Sequence, residues 1–304
     1  MIYKILQAKR GGFLLRGSDG TERFCPARGK MRTDGLHAGD DVELDGSGGI
    51  VKIGPRKNLL IRPPLANVAA CAIVLSPAPA PDFHLVDKLL IQCFRNQIEP
   101  ILCVNKSDAA GAESLFERAR KNYAAAVARI LLVSAADGTG AEELRAALPE
   151  TGITCLAGQS AVGKSSLLNR LLPDLHLEVG ELSAKIERGK NTTRACRLYP
   201  IGSCREGVVP DNRYIADTAG FSLLDAGEFF FEELKYFYPE FAVLAGECKM
   251  RGCNHIDEPG CAVVKWVTGK GNAQFKETGI CRERWERYVE IFRELEEFHK
   301  NRYK

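Results

Sequence analysis

Absences bound this sequence first. It contains no run of about 18 consecutive apolar residues, so no membrane-spanning helix is expected. The start, "MIYKILQAKRGG", lacks the long apolar segment and small-residue cleavage site of a secretory signal, and the expectation is a soluble, cytoplasmic protein. No internal repeat or low-complexity tract is detectable, which leaves an ordinary globular chain. The 11 cysteines are an odd count, and Cys71, Cys93, Cys103 and Cys155 lie inside apolar runs, where a reduced thiol acts as a small hydrophobe. A disulfide framework is therefore not expected.

What is present suits several domains. At 304 residues the chain exceeds what one core usually organises, so two or three domains are expected. The net charge of +3 is uneven: residues 1–65 carry 12 Lys and Arg against 7 Asp and Glu. A basic N-terminal surface suits phosphate-bearing partners, although a solvated face has the same composition. Across residues 1–65, the short runs "GGFLLRG", "TERFCPA", "DDVELDG", "GGIVKIG" and "NLLIRPP" read as five strands of a small barrel, OB-fold or SH3-like. The paired prolines of "IRPPLANV" then mark a boundary.

Residues 66–225 alternate strand and helix, from "VAACAIVLS" and "HLVDKLLIQCFRNQ" to "GITCLAGQS" and "GKSSLLNRLL". Such alternation predicts an α/β domain with a parallel sheet covered on both faces, its ligands beyond the carboxyl ends of the strands. Residues 226–304 form a third region, mainly helical. Its last segment places Trp285, Tyr288, Val289, Phe292 and Leu295 at helical spacing, a stripe read as core contact.

Four strings carry chemistry. "GQSAVGKS" follows a strand and opens a helix, as a phosphate cradle requires: the backbone N–H groups of Gly158, Gln159, Ser160, Ala161, Val162 and Gly163 would surround phosphates, Lys164 would reach the β- and γ-phosphates, and Ser165, followed by Ser166, would ligate Mg²⁺. "YIADTAG" supplies D-x-x-G, with Asp217 for Mg²⁺ and Gly220 for the γ-phosphate. Between them, "ERGKNTTRACRLYP" offers Thr192 or Thr193 as a residue ordered by triphosphate, in a segment otherwise read as a polar loop. "NKSD" ends an apolar strand: the Asp108 carboxylate accepts from guanine N1–H and its exocyclic amine, a donor pair adenine lacks. Asn105 would hold the base edge, the Lys106 stem would lie along the ring with Ser107 beside it, and N–H groups near Ser134 and Ala135 would meet guanine O6.

The order of these strings is rotated, because the base reader precedes the phosphate loop. Joining the original ends and opening a new break at a surface loop leaves sheet and pocket unchanged. A fifth string, "GECKMRGCNHIDEPGC", spaces Cys248, Cys253, His255 and Cys261 as a closed tetrahedral zinc site of structural type. Cys281 fits the final helix better, and His37, His84, His176 and His299 have no comparable company.

With "NKSD", "GQSAVGKSSLLN", "GKNTTR", "DTAGF" and the Cys/His cluster in this order, the chain resembles the RsgA (YjeQ or YloQ) family of circularly permuted GTPases of small-ribosomal-subunit biogenesis. The resemblance spans essentially the whole chain. It implies an N-terminal OB-fold domain (1–65), a permuted GTPase domain (66–225) and a C-terminal zinc domain (226–304). It also implies GTP and GDP with Mg²⁺ and one structural Zn²⁺, and as partners the 30S ribosomal subunit and its 16S rRNA; a monomer is expected because one copy would engage one asymmetric subunit. The position after D-x-x-G, where Ras-like enzymes carry a water-orienting Gln, is Phe221, so slow intrinsic turnover and stimulation by the subunit are expected. The segment "FSLLDAGEFF" offers no His in its place. Readings of another class are a nucleic-acid-binding scaffold with a degenerate nucleotide pocket, disfavoured by intact Lys164, Ser165 and Asp217, and a translation or tRNA-related GTPase, disfavoured by the rotated order.

Overall fold

The computed structural model of the chain describes residues 2–26, 35–61, 64–172, 196–202, 212–217, 229–271 and 278–302. Five strands come first: β1 (Ile2–Lys9), β2 (Gly12–Gly17), β3 (Glu22–Pro26), β4 (Asp41–Leu44) and β5 (Ile50–Ile53). All their pairings, β3 with β2, β2 with β1, β1 with β4 and β4 with β5, are antiparallel, around a core of Tyr3, Ile5, Leu15, Cys25, Leu36 and Val42.

Membership of this unit differs from the sequence reading. Its first strand lies in "MIYKILQAKRGG", which was not read as a strand. "NLLIRPP" instead gives β6 (Leu59–Ile61), which pairs only with β7 (Pro64–Ala66) in a hairpin. Pro64 therefore stands within a hairpin strand. Pro64 is tolerated because a two-stranded edge needs no N–H there.

The central sheet follows the predicted alternation through β8 (Val68–Leu75), α1 (Phe83–Arg95), β9 (Glu99–Val104), α2 (Ala112–Tyr123), β10 (Arg129–Leu132), α3 (Ala141–Ala147), β11 (Gly152–Ala157) and α4 (Lys164–Leu171). Two further strands close it, β12 (Arg197–Pro200) and β13 (Arg213–Asp217). Strand order is β10-β9-β8-β11-β13-β12, then β1. β8 to β11 and β13 are mutually parallel, whereas β12 is antiparallel to β13 and meets β1 at Gln7 opposite Arg197. β12 corrects the polar-loop reading of its segment: Leu198 is buried there.

Alternation along β8 explains the two-sided cover. Val68, Cys71, Ile73 and Leu75 face α1 and α2 with Phe83, Leu89, Leu115 and Tyr123. Ala70, Ala72 and Val74 face α3 and α4 with Leu144, Leu167, Leu168 and Leu171. Asp82 caps α1 by accepting the Leu85 N–H at 2.9 Å. The ten described cysteines are unpaired, and burial pushes the Cys103 thiol up to about 12, as for an inert core thiol.

The C-terminal region holds 3₁₀ turns at Phe231–Phe237 and Pro239–Phe241, then α5 (Ala242–Ala245), α6 (Ala262–Val267) and α7 (Arg282–Arg302). Tyr288, Phe292 and Leu295 of α7 are buried, with Trp285 and Val289 packed beside them, as the aromatic stripe predicts. Ile91 of α1 belongs to this same core, so α7 lies against the helix layer of the central sheet. Among the described residues no helix is long and apolar enough to cross a membrane.

Candidate nucleotide and metal sites

Because β8, β9, β11 and β13 are parallel, their carboxyl ends share one edge, and the loops that follow β8, β9 and β11 gather there. Asn105, 1% exposed, lies at the centre of this gathering. Its Nδ2 donates to the Val162 carbonyl at 2.8 Å, its Oδ1 accepts the Ala135 N–H at 3.1 Å, and its backbone N–H reaches Leu75 O at 2.8 Å. One buried amide thus ties the base-reading string to the phosphate loop and to the loop after β10. Gly163 makes this possible: with φ of +97°, it would place a Cβ only 2.3 Å from Asn105 Nδ2. The sequence reading gave Asn105 to the base edge; its side-chain partners in the structure are these loops.

Lys106 extends the connection, donating through Nζ to Ala78 O at 2.5 Å and Ala161 O at 2.9 Å. Ser107 donates its backbone N–H to Val133 O at 3.0 Å. The Ser134 hydroxyl donates to Asp108 Oδ1 at 2.7 Å and so orients the exposed carboxylate. The Ala135 N–H, expected near guanine O6, is bonded to Asn105.

In the phosphate loop, Ser160 and Ala161 are exposed while Val162 packs into the core under α4. The Lys164 ammonium donates to Gly158 O at 2.9 Å and Gln159 O at 2.7 Å, and its burial lowers its pKa. Gln159 Oε1 is buried without a hydrogen-bond partner among the described residues. Ser165 and Ser166 occupy the first turn of α4, half-buried, where the helix dipole favours anions. Asp217 ends β13, and burial raises its carboxyl above the usual carboxylate range. An anionic carboxylate in that setting fits a neighbouring cation. Thr192, Thr193, Gly220 and Phe221 lie outside the described residues.

The ligand atoms of Cys248, Cys253, His255 and Cys261 all lie within 4.8 Å of one another. The Cys248 and Cys261 sulfurs stand 3.6 and 3.5 Å from His255 Nδ1. A tetrahedral zinc, with bonds of about 2.3 Å to sulfur and about 2.0 Å to imidazole, requires S···N edges of about 3.6 Å. Four protein donors at that spacing fit a closed structural zinc, so the donor set is that of a folding staple. Burial lowers the pKa of His255 and so favours the neutral imidazole, the form that ligates.

The surrounding groups fix these ligands. Trp285 Nε1 donates to His255 O at 2.7 Å, the Glu258 carboxylate accepts the Asn254 and Ile256 N–H groups at 2.6 and 3.0 Å, and Lys235 donates to Gly252 O and Cys253 O at 2.9 and 3.1 Å. Cys281 stands outside the cluster.

Sequence reasoning missed Arg170 and Ala78. Neither belongs to a motif, and both act through geometry that only the folded loops create.

A phosphate loop after β11, a base-reading string after β9 on the far side of β8, and a chain order that begins midway through the sheet define a circularly permuted P-loop nucleotide hydrolase. Comparison with known proteins narrows the class. Residues 53–227 match the family model for the RsgA GTPase. The small ribosomal subunit biogenesis GTPase RsgA of Geobacillus sp. (strain WCH70) is 38% identical over 305 residues, 97% of each chain. Its counterpart from Thermotoga neapolitana is 37% identical over 286 residues, 91% of this chain and 90% of that one. Among solved structures, YjeQ from Thermotoga maritima superposes with a TM-score of 0.76 at 29% identity, covering 97% of this chain and 98% of that one. YloQ, a circularly permuted GTPase, gives 0.71 at 28%, covering 97% and 95%. The chain belongs to the RsgA GTPase family, and it is a GTP hydrolase.

Proposed function

We propose that this GTPase binds the 30S ribosomal subunit and assists its late maturation in the cytoplasm, a reading supported by relatives named small ribosomal subunit biogenesis GTPase. The observation that carries the reading is the Asn105 hub, which fastens a guanine-reading string to a phosphate loop in one pocket. Asp108 selects guanine, the loop 158–163 and Lys164 hold the phosphates, and Ser165, Ser166 and Asp217 are the residues suited to Mg²⁺. That ion, when bound, screens the charge that develops on the phosphates. Thr192 or Thr193 and Gly220 complete the triphosphate-sensing segments.

Around this core, residues 1–65 act as an OB-fold for 16S rRNA, supported by their antiparallel pairing and basic excess. Residues 226–304 act as a zinc-stapled unit on the same partner, and one monomer serves one subunit. Intrinsic turnover is slow because Phe221 neither orients nor deprotonates water, and the subunit stimulates it. The test is the GTP hydrolysis rate with and without purified 30S subunits, repeated with Lys164→Ala and Ser165→Ala. Stimulation that disappears in both variants is expected; full-speed turnover of the protein alone contradicts the reading.

A further inference from the structure

Arg170 belongs to none of the nucleotide motifs. It sits near the end of α4, the helix that begins at the phosphate loop. Its guanidinium reaches across to the loop after β10: Nε and Nη2 donate to Ala135 O at 3.1 and 3.0 Å, and Nη2 donates to Ala136 O at 2.6 Å. The side chain passes Gly138, where a Cβ would lie 3.5 Å from Nη1 at a φ of +92° that favours glycine.

The carbonyls Arg170 holds belong to the two peptide units whose N–H groups, those of Ala136 and Asp137, donate to Ser134 Oγ at 3.2 and 3.3 Å. That hydroxyl in turn donates to Asp108 Oδ1 at 2.7 Å. A cation at the carbonyl end of a peptide unit strengthens its N–H as a donor, and each bond in such a chain polarises the next. The guanidinium, two aligned peptides and one hydroxyl therefore form a single sequence ending on the carboxylate that faces the base.

We propose that Arg170 is a positioning residue for guanine selectivity, which fixes Asp108 through Ser134 and links the base pocket to the phosphate-loop helix. The proposal rests on the guanine-pocket reading above. Removal of Arg170 leaves the loop its other bonds, Ser134 N–H to Thr139 O at 2.8 Å, Gly138 N–H to Ser134 O at 3.0 Å and Ala135 N–H to Asn105, so the fold persists.

The experiment compares wild type, Arg170→Ala, Arg170→Lys, Ser134→Ala, the Arg170→Ala/Ser134→Ala double variant and Asp108→Ala by calorimetric titration with GDP and with IDP, which lacks the exocyclic 2-amine. Arg170→Ala should raise the GDP Kd about five- to tenfold and lower the GDP-over-IDP preference about threefold or more, with unchanged thermal stability. Arg170→Lys should recover part of that preference, and the double variant should lose no more of it than the larger single loss. Equal weakening of GDP and IDP in Arg170→Ala, or additive losses in the double variant, would overturn the proposal. Asp108→Ala separates the two readings. Lost preference there with Arg170→Ala unaffected refutes Arg170 alone, whereas preference surviving Asp108→Ala refutes the guanine pocket on which the proposal rests.

Discussion

Arg284 offers the sharpest stability prediction. Its side chain is 2% exposed, stacked between the rings of Tyr123 and Tyr238 at 4.9 and 4.8 Å, with Nε 2.8 Å from Glu240 and 3.6 Å from Asp87. Nε lacks an aligned hydrogen bond despite those distances, so the contact acts as an ion pair through charge. Arg284→Met keeps much of the volume and removes the charge. Asp87 retains Arg287, which also donates to Asn122 and Tyr123. Glu240 has no second cation among its described salt bridges. Breaking a buried pair in this way costs about 3–5 kcal/mol, because the remaining charge stays buried. Adding Glu240→Gln should recover most of the loss.

Two-fold evidence comes from pH. Burial pushes the Glu240 and Asp87 carboxyls up more than the guanidinium groups pull them down. A raised carboxyl pKa means that the folded chain holds the proton more tightly than the unfolded one. Stability from this source is present below the ordinary range of about 4 and is lost as pH rises through the raised value. The Arg284→Met deficit should therefore be smaller at pH 5 than at pH 8. Urea denaturation followed by tryptophan fluorescence reads it directly, since Trp266 and Trp285, the two tryptophans of the chain, both pack against the C-terminal core. A single-variant loss within about 1 kcal/mol, or a double variant no more stable than the single, would refute the reasoning.

Two other outcomes follow from the sites. Purified protein should carry about one zinc per chain by elemental analysis; Cys253→Ser should reduce that content and expose Trp285, whose indole is bonded to His255 O, seen as a red-shifted emission. Asp108→Asn should weaken GDP binding and improve XDP binding, because an amide donates where a carboxylate only accepts and xanthine presents a carbonyl in place of the 2-amine; competition binding with both nucleotides checks the reversal.

The central sheet was legible because each strand is an apolar run between amphipathic helices, and parallel strands buried on both faces read that way. The clustering of Cys248, Cys253, His255 and Cys261 was legible because metal-binding chemistry fixes residue type and spacing together. β1 was not, and its bulge explains why. The register with β2 shifts between Ile5 and Gln7, so adjacent Ile5 and Leu6 are both buried, Ile5 in the core of the N-terminal strands and Leu6 in the sheet core. That shift erases the period-two pattern.

β12 is only four residues long, Arg197 to Pro200, and it exists as a strand through its neighbours β13 and β1. Arg170 illustrates a third limit: an exposed arginine on a helix carries no local signal of the carbonyls it reaches 34 and 35 residues away in the chain.

The measurement that bears most directly on the rotated site is side-by-side titration of the nucleotide-free protein with GDP and ADP in Mg²⁺ buffer. The proposed guanine pocket of Asn105, Asp108 and Lys164 predicts GDP binding at least about a hundredfold tighter, since a site built to pair with guanine leaves its carboxylate unpaired against adenine. Equal affinity for the two would contradict it.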